Sequence, residues 1–353
     1  MARLTSRASN AAVPSPSLPL QSQVARSMPK VVITAKIAKE GPHNKIFHDH
    51  GFDVVYPSQG CDVFQEDQLI GVLQGVDAVL AGSEPYTPRV IEALPQLRTI
   101  TRAGVGYDAV NLDACDRANI PVCITPGVNH HSVAEHTIAL LMAVARGFPH
   151  LDRKVRVGEW SRKSYPRVMG KTLGLVGLGR IGQATATRGV GLGMRVIAHE
   201  PYPDRDFCQK WNIELVDLHT VLAQADFLSL HCPSTPESRH LIRKENIEKM
   251  KPGAVLINTA RGTLVNEADL FEALRNRRLA AAGLDVFEVE PLPLTSPLLT
   301  LDNVLVSGHI AGLDDDSAHD TSKMCAEIIT GLHQGRWPTG CVMNLKGKTG
   351  WTW

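Results

Sequence analysis

From residue 28 onward, short β-branched runs alternate with longer mixed segments. VVITA (31–35), DVV (53–55), AVLA (78–81), LRTITRA (97–103) and PVCIT (121–125) have the length and composition of strands, with room between them for crossover helices. That spacing predicts a parallel sheet. SVAEHTIALLMAVAR (132–146) has neither Gly nor Pro and predicts an apolar helix, opened by Ser132 with Glu135 three residues on, the spacing of a capping box. After a polar, Trp-containing stretch (152–170) a second series begins: TLGLVG (172–177), RVIAHE (195–200), FLSLH (227–231), AVLINTA (254–260), AAGLDV (281–286) and VLVSG (304–308). Two series predict two α/β domains, each a doubly wound parallel sheet. A last helix from 315 to about 334 is expected to return and cover the first domain. The boundaries are then 28–125 plus 310–347 for one domain and 126–309 for the other.

The chain has 353 residues, 43% of them hydrophobic, which suffices for two cores. A formal net charge of +1 supplies no basic field for nucleic acid and favours a small-molecule partner. No apolar run reaches the ~18 residues of a membrane span. The seven cysteines are scattered, odd in number and without a CxxC pair, so they suggest neither a disulfide framework nor a zinc site, and a reducing compartment fits them. Residues 1–27 differ: three arginines with Ser, Ala and Pro, and no acidic residue before Glu40, predict a disordered leader or an organelle transit peptide. The expected location is the cytoplasm, or an organelle stroma or matrix if the leader is a transit peptide.

GLGRIG (177–182) follows a predicted strand and opens a predicted helix. In that setting Gly177 makes a tight turn, Gly179 lets the backbone approach a pyrophosphate, and Gly182 lets the helix pack on its strand. Glu200 closes the next strand 23 residues after Gly177, close to the spacing of the acid that binds an adenosine ribose. A carboxylate there accepts from ribose hydroxyls and repels a 2′-phosphate, so NAD is expected over NADP. Arg195 falls on the other strand face and is set aside as a phosphate ligand. Hydride chemistry also requires an acid/base and a cation, and polar residues close several predicted strands: His231, Arg261, Asp285 and His309, with Glu290 just beyond one.

Seven ordered motifs carry a family resemblance: TRAGVGYD (101–108), TPGVNHHSVAEHT (125–137), GLVGLGRIG (174–182), SLHCPSTPESRHLI (229–242), MKPGAVLINTARG (250–262), GLDVFEVEP (283–291) and SGHIAG (307–312). From about Met28 to Gly347 the chain resembles the D-isomer-specific 2-hydroxyacid dehydrogenases, most of all short D-3-phosphoglycerate dehydrogenases. The resemblance implies a flavodoxin-like substrate domain and a Rossmann NAD-binding domain. It implies a catalytic set in which Arg261 binds the substrate carboxylate and carbonyl oxygen, His309 is the acid/base and Glu290 pairs with it. It further implies that Val105 and Gly106 offer backbone N–H groups to the substrate, and that Val105, Arg180, Ile181, Cys232, Thr259, Ala260, Asp285 and His309 line the cofactor, Asp285 holding the nicotinamide amide. The stretch at His231 lines the cofactor by backbone contacts in the family, so a structural role for its side chain is weighed at least equally with a functional one, and the family pairs as homodimers through the helix 132–146 and its neighbours.

The residue types suit these roles. A guanidinium fork matches a planar 2-oxo or 2-hydroxy carboxylate, and an imidazole beside a carboxylate keeps a proton ready near neutral pH. Three departures bear on substrate and site. AGSEPYT (81–87) carries Gly82 and Glu84 where the serine-pathway enzymes often have an arginine near a substrate phosphate; Gly308 replaces a proline before the histidine; His130 and His131 replace small or polar residues. His43, His48 and His50 lack the cysteine or carboxylate partners of a metal set, and no metal is expected. Too little chain follows His309 for a C-terminal regulatory domain, so none is expected. The resemblance ranks 3-phosphoglycerate first, glyoxylate or hydroxypyruvate second, with D-lactate and phosphite served by the same triad. A reading from another class, an NAD-sensing scaffold like the C-terminal-binding-protein corepressors, shares the fold and the triad.

Overall fold

The computed structural model describes residues 28–36, 40–160, 162–346 and 350–353. The leader 1–27 lies outside the described residues. β1 (Lys30–Ile33), β2 (Asp53–Val55), β3 (Ala78–Ala81), β4 (Thr99–Arg102) and β5 (Val122–Cys123) form a parallel sheet in the order β2-β1-β3-β4-β5, the flavodoxin-like winding. Strand parity sorts its side chains onto two faces. Val32, Val79 and Ile100 pack with Leu69, Leu73 and Val90, whereas Val31, Ile33, Ala78 and Leu80 pack with Phe47 and with Cys325, Ala326 and Ile329 of the long helix Asp315–His333. Each buried aliphatic side chain contributes about 1.5–3 kcal/mol, so this helix is a structural face of the first sheet although it is the last helix among the described residues.

β6 (Thr172–Val176), β7 (Arg195–His199), β8 (Glu214–Leu215), β9 (Phe227–Leu230), β10 (Ala254–Asn258), β11 (Leu279–Leu284) and β12 (Val304–Val306) form a second parallel sheet, ordered β12-β11-β10-β9-β6-β7-β8. One face packs Leu173, Leu175, Val196 and Ile257 against Leu140 and Leu141 of the helix His130–Ala145; the other packs Leu228, Leu230 and Leu256 against Leu270 and Leu274 of the helix Glu267–Arg275. β6 is the switch point from which the strand order runs outward both ways, and in such sheets ligands bind beyond the carboxyl ends of the strands there.

Three expectations need correction. The capping box at Ser132 and Glu135 does not form: the helix starts at His130 behind Asn129, Ser132 Oγ donates to the Ala311 carbonyl at 2.8 Å, and Glu135 pairs with Arg188 at 2.7 Å. Partners from distant segments outcompete the local cap. A capping box does open the last helix, between Asp314 and Ser317. The polar stretch 152–170 begins inside a helix, Phe148–Arg156, and the edge strand β8 was not expected at all.

Candidate active site

The GLGRIG turn joins β6 to the helix Arg180–Gly191. Gly177 has φ +99°, and a Cβ on it would stand 2.6 Å from the Cys232 nitrogen; a Cβ on Gly182 would run into the Gly177 carbonyl. Around Gly179 there is open space. The first and third glycines are therefore required by packing, and the second leaves a gap before a helix start with no side-chain cap, where free N–H groups suit a diphosphate. Glu200 stands beside this turn: Oε2 accepts the Leu178 N–H at 2.8 Å and Oε1 the Tyr202 N–H at 3.0 Å. Arg195 is held by Glu214 and Gln224 on the β8 side. Arg180 is exposed at the helix start and Ile181 is half-buried behind it.

His231 and Cys232 follow β9 against the same turn. Burial lowers the His231 imidazole to about 4, so it is neutral, and its Nε2 lies 3.0 Å from Ser229 Oγ. Burial raises the Cys232 thiol to about 11, which removes it as a nucleophile at neutral pH. After β10, Thr259 Oγ1 meets Thr137 Oγ1 at 2.8 Å, and Asn258 clamps the next turn: its Oδ1 accepts the Ala260 N–H at 3.0 Å and its Nδ2 donates to the Arg261 carbonyl at 2.8 Å. Arg261 Nε donates to Asp108 Oδ2 at 2.7 Å and Nη1 to the Ala260 carbonyl at 2.6 Å, while Nη2 lies against Gly106. Val105 and Gly106 form the turn after β4, and Arg102 Nε donates to the Gly106 carbonyl at 3.0 Å.

His309 follows β12 in a left-handed conformation, φ +56°. Asp285 fixes that turn. Its carbonyl accepts the His309 N–H at 2.7 Å, and its buried carboxylate accepts Ser307 Oγ at 2.6 Å, the Ile310 N–H at 3.0 Å and the Ala311 N–H at 2.8 Å. His136 Nε2 meets Ser307 Oγ at 2.8 Å; because Ser307 donates to Asp285, this nitrogen carries the hydrogen. His309 Nδ1 lies 2.6 Å from Glu290 Oε2. Burial pushes the Glu290 carboxyl up, but the His309 bond, the Phe287 N–H and the charges of His309 and Arg261 outweigh it and hold the carboxyl below its ordinary value. Arg261, Glu290 and His309 thus share one electrostatic site at the carboxyl ends of β10, β11 and β12. An imidazole held by a carboxylate is a group suited to proton transfer near neutral pH.

Residues 138–311 match the family described as D-isomer specific 2-hydroxyacid dehydrogenase, NAD binding domain. The glyoxylate reductase of Korarchaeum cryptofilum is 39% identical over 266 residues, 74% of this chain and 80% of that enzyme. The chain belongs to the D-isomer specific 2-hydroxyacid dehydrogenase family. Among its relatives in this family, the D-3-phosphoglycerate dehydrogenase of Archaeoglobus fulgidus is 39% identical over 272 residues, 76% of this chain but 52% of that protein; the chain spans about half the length of the phosphoglycerate dehydrogenases it matches. Among solved structures, the D-lactate dehydrogenase of Aquifex aeolicus complexed with NAD and lactic acid superposes with a TM-score of 0.79 at 27% identity, covering 90% of this chain and 100% of that one.

Several residues that shape the site escaped the sequence reading: Asp108, Arg102, Asn258, His136 and Ser307. Asn258 had a usable signal, an Asn closing a strand before a turn. Glu84, flagged as a departure, is buried; it accepts Tyr86 Oη at 2.7 Å, the Gly82 N–H at 3.0 Å and the Thr34 hydroxyl. The rings of His130 and His131 touch in a tilted arrangement, centroids 4.1 Å apart. His43 is buried and meets Tyr56 Oη at 3.1 Å, while His50 Nδ1 lies 2.8 Å from the Ile46 carbonyl. No group of three His, Cys, Asp or Glu side chains that could hold a metal occurs among the described residues. All seven cysteines are free thiols, and no described helix is long and apolar enough to cross a membrane.

Proposed function

We propose that this protein is an NAD-dependent dehydrogenase that interconverts a D-2-hydroxy acid and its 2-oxo acid, with residues 28–125 and 310–347 as substrate domain and 126–309 as cofactor domain. The observation that carries the reading is the His309–Glu290 pair, 2.6 Å apart, with Arg261 near enough for its charge to act on the same carboxylate. When bound, NAD supplies the two-electron exchange. Gly177, Gly179, Gly182, Arg180 and Ile181 receive its diphosphate and Glu200 its ribose, while Val105, Cys232, Thr259, Ala260 and His309 line it. Asp285 orients the nicotinamide amide with the lone-pair capacity its three donors leave.

With Nδ1–H directed to Glu290, the Nε2 of His309 exchanges a proton with the substrate oxygen. Glu290 keeps the ring in that tautomer and stabilises its charged form. Arg261 and the N–H groups of Val105 and Gly106 grip the carboxylate, which fixes the reacting carbon between the domains.

Two substrate tails are supported. Relatedness to phosphoglycerate dehydrogenases favours 3-phosphoglycerate; the fuller coverage of glyoxylate reductase and the buried carboxylate of Glu84 favour glyoxylate or hydroxypyruvate. Purified protein assayed by NADH absorbance against phosphorylated and unphosphorylated acids separates them. Reaction with phosphohydroxypyruvate alone selects the first, with glyoxylate or hydroxypyruvate alone the second, and no reaction with any 2-oxo acid rejects the function.

A homodimer through the helix His130–Ala145 and its neighbours would cover exposed apolar side chains such as Phe148 and Val155 on the adjoining helix Phe148–Arg156. Light scattering reading a single chain rejects it. The free thiols favour a cytoplasmic location.

A further inference from the structure

Arg261 is bracketed on three sides. Its Nε is bound by Asp108 at 2.7 Å and its Nη1 by its own turn at Ala260, and Nη2 occupies the space a side chain on Gly106 would need. Asp108 and Gly106 follow β4 in the first sheet, whereas Arg261 follows β10 in the second. The Gly106 carbonyl is in turn held by Arg102, a buried guanidinium of the first sheet. The bracket therefore spans both sheets and is anchored inside the first.

As a stability device this ion pair is weak. The Asp108 side chain is 54% exposed, and pairs of that kind contribute little to folding. For binding the geometry matters more. A guanidinium on a long flexible stem must be ordered before it can present N–H groups to a planar carboxylate, and ordering it beforehand removes that entropy from the binding step.

We propose that Asp108 is a positioning residue for Arg261: a carboxylate of one domain sets the guanidinium plane of the other, so that the Nη2 edge faces the substrate carboxylate when the domains are apposed. This rests on the function proposed above and adds to it a residue that touches neither substrate nor cofactor.

The test uses full-length protein loaded with NADH, and two readouts: turnover of the best 2-oxo acid, and binding of oxalate, an unreactive planar dicarboxylate. Asp108→Ala is expected to raise the KM of the oxo acid and the Kd of oxalate together by about tenfold or more, with kcat within about threefold and NADH affinity unchanged. Asp108→Asn, whose amide oxygen still accepts from Nε, recovers most of the loss. In an Arg261→Lys background, which has no Nε–H, Asp108→Ala adds less than about twofold. If wild-type protein binds oxalate and Asp108→Ala binds it equally well, the positioning role is wrong and the proposed function stands. Parallel loss of NADH affinity also overturns it, by revealing general damage to the cleft. If wild-type protein neither binds oxalate nor reduces any 2-oxo acid, the proposed function falls, and this role with it.

Discussion

Glu290 holds His309 with one oxygen and its own loop with the other: Oε2 lies 2.6 Å from His309 Nδ1, and Oε1 accepts the Phe287 N–H at 2.9 Å. The imidazole is thereby referenced to the backbone of β11's loop. His309→Asn removes the imidazole but keeps a residue type that tolerates left-handed backbone, so the fold is retained and kcat falls roughly 10²- to 10⁴-fold. Circular dichroism and steady-state kinetics on one preparation check both halves; a near-normal kcat would remove His309 from the chemistry.

The same pair makes a pH-dependent contribution to stability. Folding lowers the Glu290 pKa, so the unfolded chain takes up this proton at higher pH than the folded one. The contribution is complete above the unfolded glutamate value and disappears as the pH falls through the lowered folded value. Glu290→Gln should therefore be less stable than wild type at pH 7, with the difference narrowing toward pH 4 in urea titrations. A gap that widens on acidification would contradict the sign.

The three fingerprint glycines should respond differently to alanine. Gly177→Ala places a methyl group against the backbone at Cys232, and Gly182→Ala drives one into the Gly177 carbonyl, so both lose stability and NADH binding together. Gly179→Ala meets open space, keeps its melting temperature and weakens NADH binding about tenfold or more. Thermal melts with fluorescence titration of NADH decide it, and equal loss of stability in all three variants would be the contrary result.

Coenzyme choice should reside in Glu200. Glu200→Ala removes the charge that repels a 2′-phosphate, and the ratio of NADH to NADPH efficiency should fall roughly tenfold or more. It also strips the Leu178 N–H of its acceptor, so NADH binding itself weakens. An unchanged ratio in kcat/KM comparisons would exclude Glu200 from discrimination.

Asn258 is fully buried and serves both the Ala260 N–H and the Arg261 carbonyl. Asn258→Ala orphans both groups at a cost of about 1–3 kcal/mol and lets the turn that carries Arg261 relax. Denaturant unfolding should register the loss, and the KM of the oxo acid should rise. A variant as stable as wild type would imply that water replaces the amide.

The strands were legible because parallel strands buried on both faces read as unbroken apolar runs, as AVLA and AVLIN do. β8 left no such trace, since it is a two-residue edge strand with Glu214 exposed. The fingerprint was legible because its logic is local: strand, glycines and helix start adjoin in sequence. The bracket around Arg261 was not, because Asp108 stands 153 positions away, and only the meeting of the turn after β4 with the turn after β10 joins them. Ser132 failed as a local cap for the same reason, its partner at Ala311 being 179 positions distant.

The seven-stranded sheet is contiguous in the chain, whereas the five-stranded one relies on the helix Asp315–His333, which comes after β12. During synthesis the nucleotide-binding layer can finish while its neighbour still lacks part of one wall, leaving Val31, Ile33 and Leu80 covered by Phe47 but not yet by Cys325, Ala326 and Ile329. The Val31 face of the first sheet is therefore completed only when that helix docks, which makes its apolar core the later of the two to close.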